Sequence, residues 1–365
     1  MIFTGPVRAP GRRALWAATC TAALSAGLAH AAETTFEGIV ITTYQHAENA
    51  VDERSAALDF HLAVPAGRGA VELEIKGGTT PTPGGVTSVL AQANAAVGET
   101  LNDHEHGRII PWQLFYRHDT DRGALAAGLI DPAAWIDGNG IANNEFTQFL
   151  GVTFLNNPTI DLPAASAGLA YTTAFGNGFG LAALVANATG IEPRFRRAFD
   201  VGRRGDGAFA ALEVQWSEAD MSANLGAWVN SRDHDTDGDG VDDDRLARGH
   251  ARGIYGNLSG RLDRGDWNLR AGWADPEVQS TAGFLGLTYQ RPMGRALIGA
   301  GASRTFASGH IPEPHADLIQ FELYARIPVA AGVSVTADLQ HISHSGFDPH
   351  QGGNWVTGVR MGWEF

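Results

Sequence analysis

Downstream of its N-terminal segment the chain alternates between apolar and polar positions. Over residues 355–365, Trp355, Thr357, Val359, Met361, Trp363 and Phe365 fall on one side of an extended strand, while Val356, Gly358, Arg360, Gly362 and Glu364 fall on the other. Side chains two apart share a strand face, so one side of this segment suits hydrocarbon and the other carries charge. In 58–64, Leu58, Phe60, Leu62 and Val64 point one way, and in 71–76 Val71, Leu73 and Ile75 oppose Glu72, Glu74 and Lys76. Two glutamates within one strand fit a face that meets water, such as the lumen of a membrane barrel. Similar runs occur near 35–45, 108–118, 123–130, 165–174, 178–187, 207–216, 221–230, 251–262, 266–274, 283–290, 295–304, 317–327, 332–342 and 354–365.

The connections between these runs alternate in length. Counting back from Phe365, segments 343–353, 305–316, 275–282, 231–250 and 188–206 are long, while 328–331, 291–294, 263–265, 217–220 and 175–177 are short. Upstream, 119–122 and 65–68 are short and 78–107 and 46–55 are long. Bacterial outer-membrane barrels alternate short periplasmic turns with long outer loops. Segment 131–164 keeps the alternation only as one long outer loop, so 149–154 within it is read as loop. The pattern predicts an all-β fold, a transmembrane antiparallel barrel of about sixteen strands with both termini periplasmic. A barrel of that size encloses an aqueous channel. A soluble β-sandwich or propeller is the competing architecture, but the chain has no fixed-period repeat.

Arg8, Arg12 and Arg13 precede a small, apolar stretch over 14–28 and an A-x-A site at Ala29 and Ala31. This predicts a cleaved signal peptide over 1–31 and a barrel over 32–365. Cys20 lies in the signal, leaving no cysteine for disulfide or thiolate chemistry. After the signal, no apolar run is long enough for a spanning helix. The 44% hydrophobic content is what alternation produces. The formal charge of −14 excludes nucleic-acid binding, which needs a basic surface. Lys76 is the only lysine.

A set of motifs is more specific. Ala126, Gly128 and Asp131 are followed by an Asn-rich block with Ile141, Asn143, Asn144, Glu145, Phe146, Gln148 and Phe149, then by Asn156, Asn157, Pro158 and Pro163. Near the end come Ala337, Asp338, Gln340, His341, Val359, Arg360 and the final Phe365. Over roughly 108–365 this resembles the carbohydrate-selective porins of the OprB type. The resemblance implies a sixteen-stranded barrel in the Gram-negative outer membrane and passive, substrate-selective diffusion of sugars or small neutral solutes into the periplasm. Outer-membrane lipid is the expected surrounding, and a homotrimer is an expectation shared with other large porins.

A selective pore needs a constriction. Irregular backbone at membrane depth is tolerated only where it lines a cavity or is buried in protein. Loops 131–164 and 78–107 are long enough to fold inward, with short helices predicted over 144–150 and 88–97. Paired donors and acceptors hold sugar hydroxyls, and an aromatic ring covers C–H faces. The predicted lumen face carries Glu72, Glu74, Lys76, Gln113, Arg117, Glu213, Gln215, Arg261, Arg270, Glu322, Arg326, Asp338 and Arg360, with Trp135 and Trp228 as aromatic candidates. From these, Glu72, Glu74, Arg117 and Trp135 are the expected substrate-binding residues. Interleaved signs disfavour a phosphate pore, which needs a cationic ladder.

Two further features lie outside this scheme. Asp235, Asp237 and Asp239 stand at positions 1, 3 and 5 of a calcium loop, Gly240 at 6, the Val241 carbonyl at 7 and Asp243 at 9. The loop resembles thrombospondin type 3 or dockerin-like calcium loops. Position 12 is Leu246, so the bidentate glutamate of an EF-hand is missing. The expectation is a structural, weakly held calcium ion, the alternative a solvated acidic loop; no other cofactor is required. His341 and Ser343 form a His-x-Ser pair at the outer end of the penultimate strand, as in outer-membrane lipid A deacylases, but His344 follows where those usually carry Asn. An enzyme of that kind and a non-transporting surface adhesin are the alternatives to a porin.

Overall fold

The computed structural model describes residues 33–102, 104–191, 194–200, 207–234, 249–310 and 314–365. The predicted signal peptide, the loop carrying Asp235, Asp237, Asp239, Val241 and Asp243, and part of 188–206 lie outside the described residues.

Sixteen antiparallel strands form one closed barrel in which each strand pairs with its sequence neighbours. They are β1 (Thr35–Ala47), β2 (Glu53–Ala66), β3 (Gly69–Gly78), β4 (Ile109–Asp119), β5 (Gly123–Ile130), β6 (Ser166–Gly176), β7 (Phe179–Asn187) and β8 (Ala208–Glu218). The second half comprises β9 (Met221–His234), β10 (Gly249–Leu262), β11 (Gly265–Ala274), β12 (Thr281–Met293), β13 (Ala296–Ala307), β14 (Leu318–Ala330), β15 (Val333–Ser343) and β16 (Asn354–Glu364). Seven tight turns face the periplasm, and the longer connections lie at the other end, as the alternation predicts. The tight turns use left-handed backbone, for example at Gly67 (φ 59°), Asp263 (φ 56°) and Gly332 (φ 71°). Two-residue hairpins need such geometry to match strand twist.

Closure rests on β1 and β16, which pair from Ile39 opposite Glu364 to Ala47 opposite Val356. Gly38 and Phe365 add reciprocal backbone hydrogen bonds of 3.0 Å each. The Phe365 ring packs against Phe36, Phe60 and Trp363 at centroid separations of 6.0, 5.6 and 4.6 Å. A Cβ on Gly38 would meet the Phe60 ring at 2.5 Å, so glycine leaves the room this aromatic seam needs. The aromatic C-terminus therefore completes the last ladder, leaving no sheet edge for lipid to meet.

Parity sorts the two faces. Trp355, Val359, Met361, Trp363 and Phe365 are exposed on the outside, while Val356 and Arg360 are buried inside. Glu72, Glu74, Gln113, Glu213, Gln215, Arg270, Glu322, Asp338 and Arg360 all turn into the lumen. In the β3–β4 ladder the alternation slips, where Glu74 pairs Gln113 but Ile75 pairs Pro111. Trp112 is the extra residue of this bulge, and it turns inward beside Gln113. Pro111 suits the place because a bulge spares it a ladder donor.

Two helix expectations need correction. Segment 144–150 forms a single hydrogen-bonded turn, Gln148 N–H to Asn144 O at 2.9 Å, and the short helix of that loop is α3 (Val152–Leu155). Segment 88–97 is broken into α1 (Val86–Val89), a 3₁₀ turn over Ala91–Ala93, and α2 (Ala95–Gly98). The wall competes for its backbone: Gln45 and Gln340 both donate to the Ala93 carbonyl, at 3.0 and 2.9 Å.

Candidate functional site

The long loop after β5 enters the barrel and crosses it. Asp137, buried and held at φ 58°, turns the chain there. Its amide donates to Glu213 at 2.7 Å, and its carboxylate accepts the Asn157 amide at 2.9 Å and lies 3.3 Å from Arg270 Nε. Arg270, on β11, donates to the carbonyls of Phe154 (3.1 Å), Leu155 (3.2 Å) and Asp137 (2.9 Å). Three strands further round, on β14, Glu322 accepts the Leu150 and Gly151 amides at 2.6 and 2.7 Å. A Cβ on Gly151 would stand 2.7 Å from that carboxylate, so the approach requires glycine. Arg360 donates to the Glu145 carbonyl, and to the Gln148 carbonyl at 2.7 Å. One loop is thus pinned to β8, β11, β14 and β16 through buried charge-assisted hydrogen bonds, the strong class.

The loop after β3 fills a second sector. Glu53 accepts the Thr82 and Thr87 amides at 3.0 and 2.7 Å, and Gln320 donates to the Gln92 carbonyl at 3.1 Å. Val86, Leu90 and Ala93 pack on Leu318, Ile342 and Val356. The two loops meet where the Ala95 amide donates to the Leu150 carbonyl at 2.9 Å. Both loops predicted to fold inward do so.

On the β2–β4 wall the Arg117 and His61 side chains stay partly open. Deepest between the loops is Lys76, whose ammonium lies 2.6 Å from Glu99 and 3.9 Å from each of Glu74 and Glu145. It sits 5.0 Å from the centroid of the Trp112 ring, a cation–π contact. Trp112 donates to Asp131 at 2.7 Å, and Gln113 bridges the Asp131 amide (2.9 Å) to Glu74. Burial pushes the Glu145 carboxyl up to about 7; Glu99 adds to the rise and Lys76 opposes it. Nearer the periplasmic turns, Arg117 lies 3.3 Å from Glu72 and 3.1 Å from Asp119, and His61 lies 3.1 Å from Glu72. The Arg117 side chain is 32% exposed, against 3% for Arg270.

Of the four expected substrate-binding residues, the structure brings Glu72 and Arg117 together and places Glu74 in the Lys76 group. Trp135 belongs to neither. It is buried, edge-on to Phe115 at 5.9 Å, in an apolar cluster with Ile136, Ile160, Phe209 and Trp228. Its ring has no free face for a sugar, because the loop turns it against the wall instead of toward the water. Trp228 is likewise covered, stacked on Phe209 at 6.1 Å. Sequence reasoning does not single out Glu99, Trp112 and His61, and it reads Asp131 only as part of a motif. His61 shares strand parity with Asp59 and was readable on that ground, whereas the bulge hid Trp112.

His341 and Ser343 lie on the outward side of β15, with the His341 ring edge-on to Trp355 at 4.8 Å. That face is the membrane side of the wall, remote from the lumen groups.

The family described as carbohydrate-selective porin, OprB family, matches residues 69–365. The chain belongs to that family. It is an outer-membrane porin that passes carbohydrates by diffusion, and the hydrolase alternative falls with this assignment. The fold is similar to OprB of Pseudomonas putida, with a TM-score of 0.72 at 12% identity over 91% of this chain and 94% of that one. A Rhodopseudomonas blastica porin variant gives 0.55 at 12% identity over 91% and 100%. A loop-deleted OmpT of Vibrio cholerae gives 0.55 at 12% over 90% and 99%. An uncharacterised protein of Aquifex aeolicus is 29% identical over 92 residues, 25% of this chain and 30% of its own length.

Proposed function

We propose that sugars cross this OprB-family porin along the β2–β4 wall, passing from the Lys76 group to the Arg117–Glu72 pair. The observation that carries this reading is the contrast in burial between the two sets of lumen charges. Arg270, Arg360 and Glu322 are spent on the loops, whereas Arg117, His61 and Glu99 stay partly open. A guanidinium beside a carboxylate offers a donor and an acceptor to adjacent hydroxyls. The Lys76 group supplies one cation against Glu74, Glu99 and Glu145, which favours neutral or weakly cationic solutes over anions. A homotrimer belongs to the same reading, with its contact wall around β5, the shortest strand, whose outer side carries Leu125 and Ala127.

Glucose added to a planar bilayer tests the path. Wild-type current falls with glucose concentration. Arg117→Gln raises the half-blocking concentration about three- to tenfold, the loss of one hydrogen bond, with little change in open-channel conductance. Unchanged block in Arg117→Gln contradicts the assignment.

A further inference from the structure

Asp59, on β2, stands directly opposite Lys76 of β3 in the strand register. Register partners share a sheet face, so both side chains belong to the lumen. Asp59 interacts electrostatically with Glu74, Lys76, Glu99 and Glu145. Lys76 nevertheless does not pair with it. The ammonium is held by Glu99 at 2.6 Å, with Glu74 and Glu145 at 3.9 Å, and among the described residues no cation lies within 4 Å of Asp59. Asp59 Oδ1 is buried and accepts no hydrogen bond. The residue as a whole is only half-buried, which leaves its other oxygen open to the lumen. Because χ2 of an aspartate is soft, the carboxylate can turn to share both oxygens with an arriving donor.

The group is short of positive charge. One ammonium stands among the carboxylates of Asp59, Glu74, Glu99 and Glu145. Carboxylates this close repel one another unless a cation enters between them, and a neutral sugar brings none. A buried acceptor without a donor is a further cost. A solute that carries both a positive charge and N–H donors relieves both, and an ammonium is such a group, with three donors and no acceptor. A metal ion fits less well, because its ligands have to converge on one point. Among the described residues no group of three or more acidic, histidine or cysteine side chains is placed to do that. One step toward the periplasm, roughly 7 Å along the strand, Glu74 pairs with Gln113, and a further step brings the Arg117–Glu72 pair. An amine held at Asp59 therefore leaves the sugar ring lying along the hydroxyl partners of the path.

We infer that Asp59 is an amine-binding residue at the constriction, and that this porin favours protonated amino sugars over neutral ones. The inference rests on the path along the β2–β4 wall and names a solute class for it. Asp59 supplies a single open carboxylate, while Lys76 keeps the neighbouring ones partly engaged. Such a site holds a monocation briefly, as a channel requires: binding has to be favourable enough to admit a solute and weak enough to release it.

The test is block of single channels by glucosamine and by glucose, which differ at one substituent, at a pH where the amine is protonated. In the wild type the half-blocking concentration is about tenfold lower for glucosamine, the lower end of what a hydrogen bond to a charged group supplies. N-acetylglucosamine, in which acylation removes the charge at the same position, loses that advantage. Asp59→Asn keeps the shape and removes the charge, and it brings the glucosamine and glucose concentrations to within about threefold of each other. Asp59→Glu keeps the charge and retains a preference for the amine. An undiminished preference in Asp59→Asn overturns the assignment to Asp59. Wild-type channels that glucosamine blocks no better than glucose overturn the amino-sugar inference and leave the transport reading intact. Wild-type channels blocked by neither sugar overturn both.

Discussion

Arg270→Ala turns a narrow, steady channel into a wide and noisy one. The guanidinium donates to three loop carbonyls and lies against the Asp137 carboxylate, with 3% of its side chain exposed. Removing it leaves Asp137 buried and without that cation, the kind of change that costs about 3–5 kcal/mol. At about 1.4 kcal/mol per factor of ten, the undocked loop becomes roughly a hundredfold to a few thousandfold more populated. The strand ladders do not depend on this contact, so the barrel itself stays folded. Single-channel recordings show larger conductance, frequent substates and loss of glucose block. Arg270→Lys restores one contact at most, since an ammonium cannot spread its donors as a planar fork does. A variant with wild-type conductance and block contradicts the assignment of Arg270 as the pin.

Lys76→Gln shifts ion selectivity more than any other single substitution in the lumen. Among the described residues the lysine is the sole cation within 4 Å of Glu74, Glu99 and Glu145, and it joins the β3 wall to both inward loops. Without it these carboxylates repel one another in a partly dehydrated space. The reversal potential in a salt gradient moves toward cation selectivity, and the loops loosen where they meet. Adding Glu99→Gln removes the strongest partner and returns the reversal potential most of the way. The recovery exceeds the opposite shift that Glu99→Gln produces on its own, as expected of residues in contact. Additive effects of the two substitutions contradict the proposed pairing.

The barrel was legible because its rules are local. Strand parity marked Glu72, Glu74 and Lys76 as lumen residues, and alternating turn lengths kept the count at sixteen and rejected 149–154 as a strand. Loop length alone marked 78–107 and 131–164 for the interior. What those loops would touch was not legible. Arg270 and Arg360 look in sequence like any other lumen charge, and only the crossing of the loop turns them from wall residues into anchors. Trp135 was expected to face the solute, yet an indole in a loop that folds inward gains more by burying against Phe115 than by facing water. Trp112 escaped notice because one extra residue at the β4 bulge reverses the parity on which face assignment depends. The segment 88–97 has helical propensity, but no local signal reports that Gln45 and Gln340 take its carbonyl at Ala93.

Swelling of proteoliposomes in isotonic solutes is the most direct measurement. A water-filled barrel narrowed by a mixed-sign, net-acidic wall predicts rapid swelling in glucose and slower swelling with a phosphate monoester of the same sugar. No swelling in glucose, or faster swelling with the phosphate ester, contradicts it.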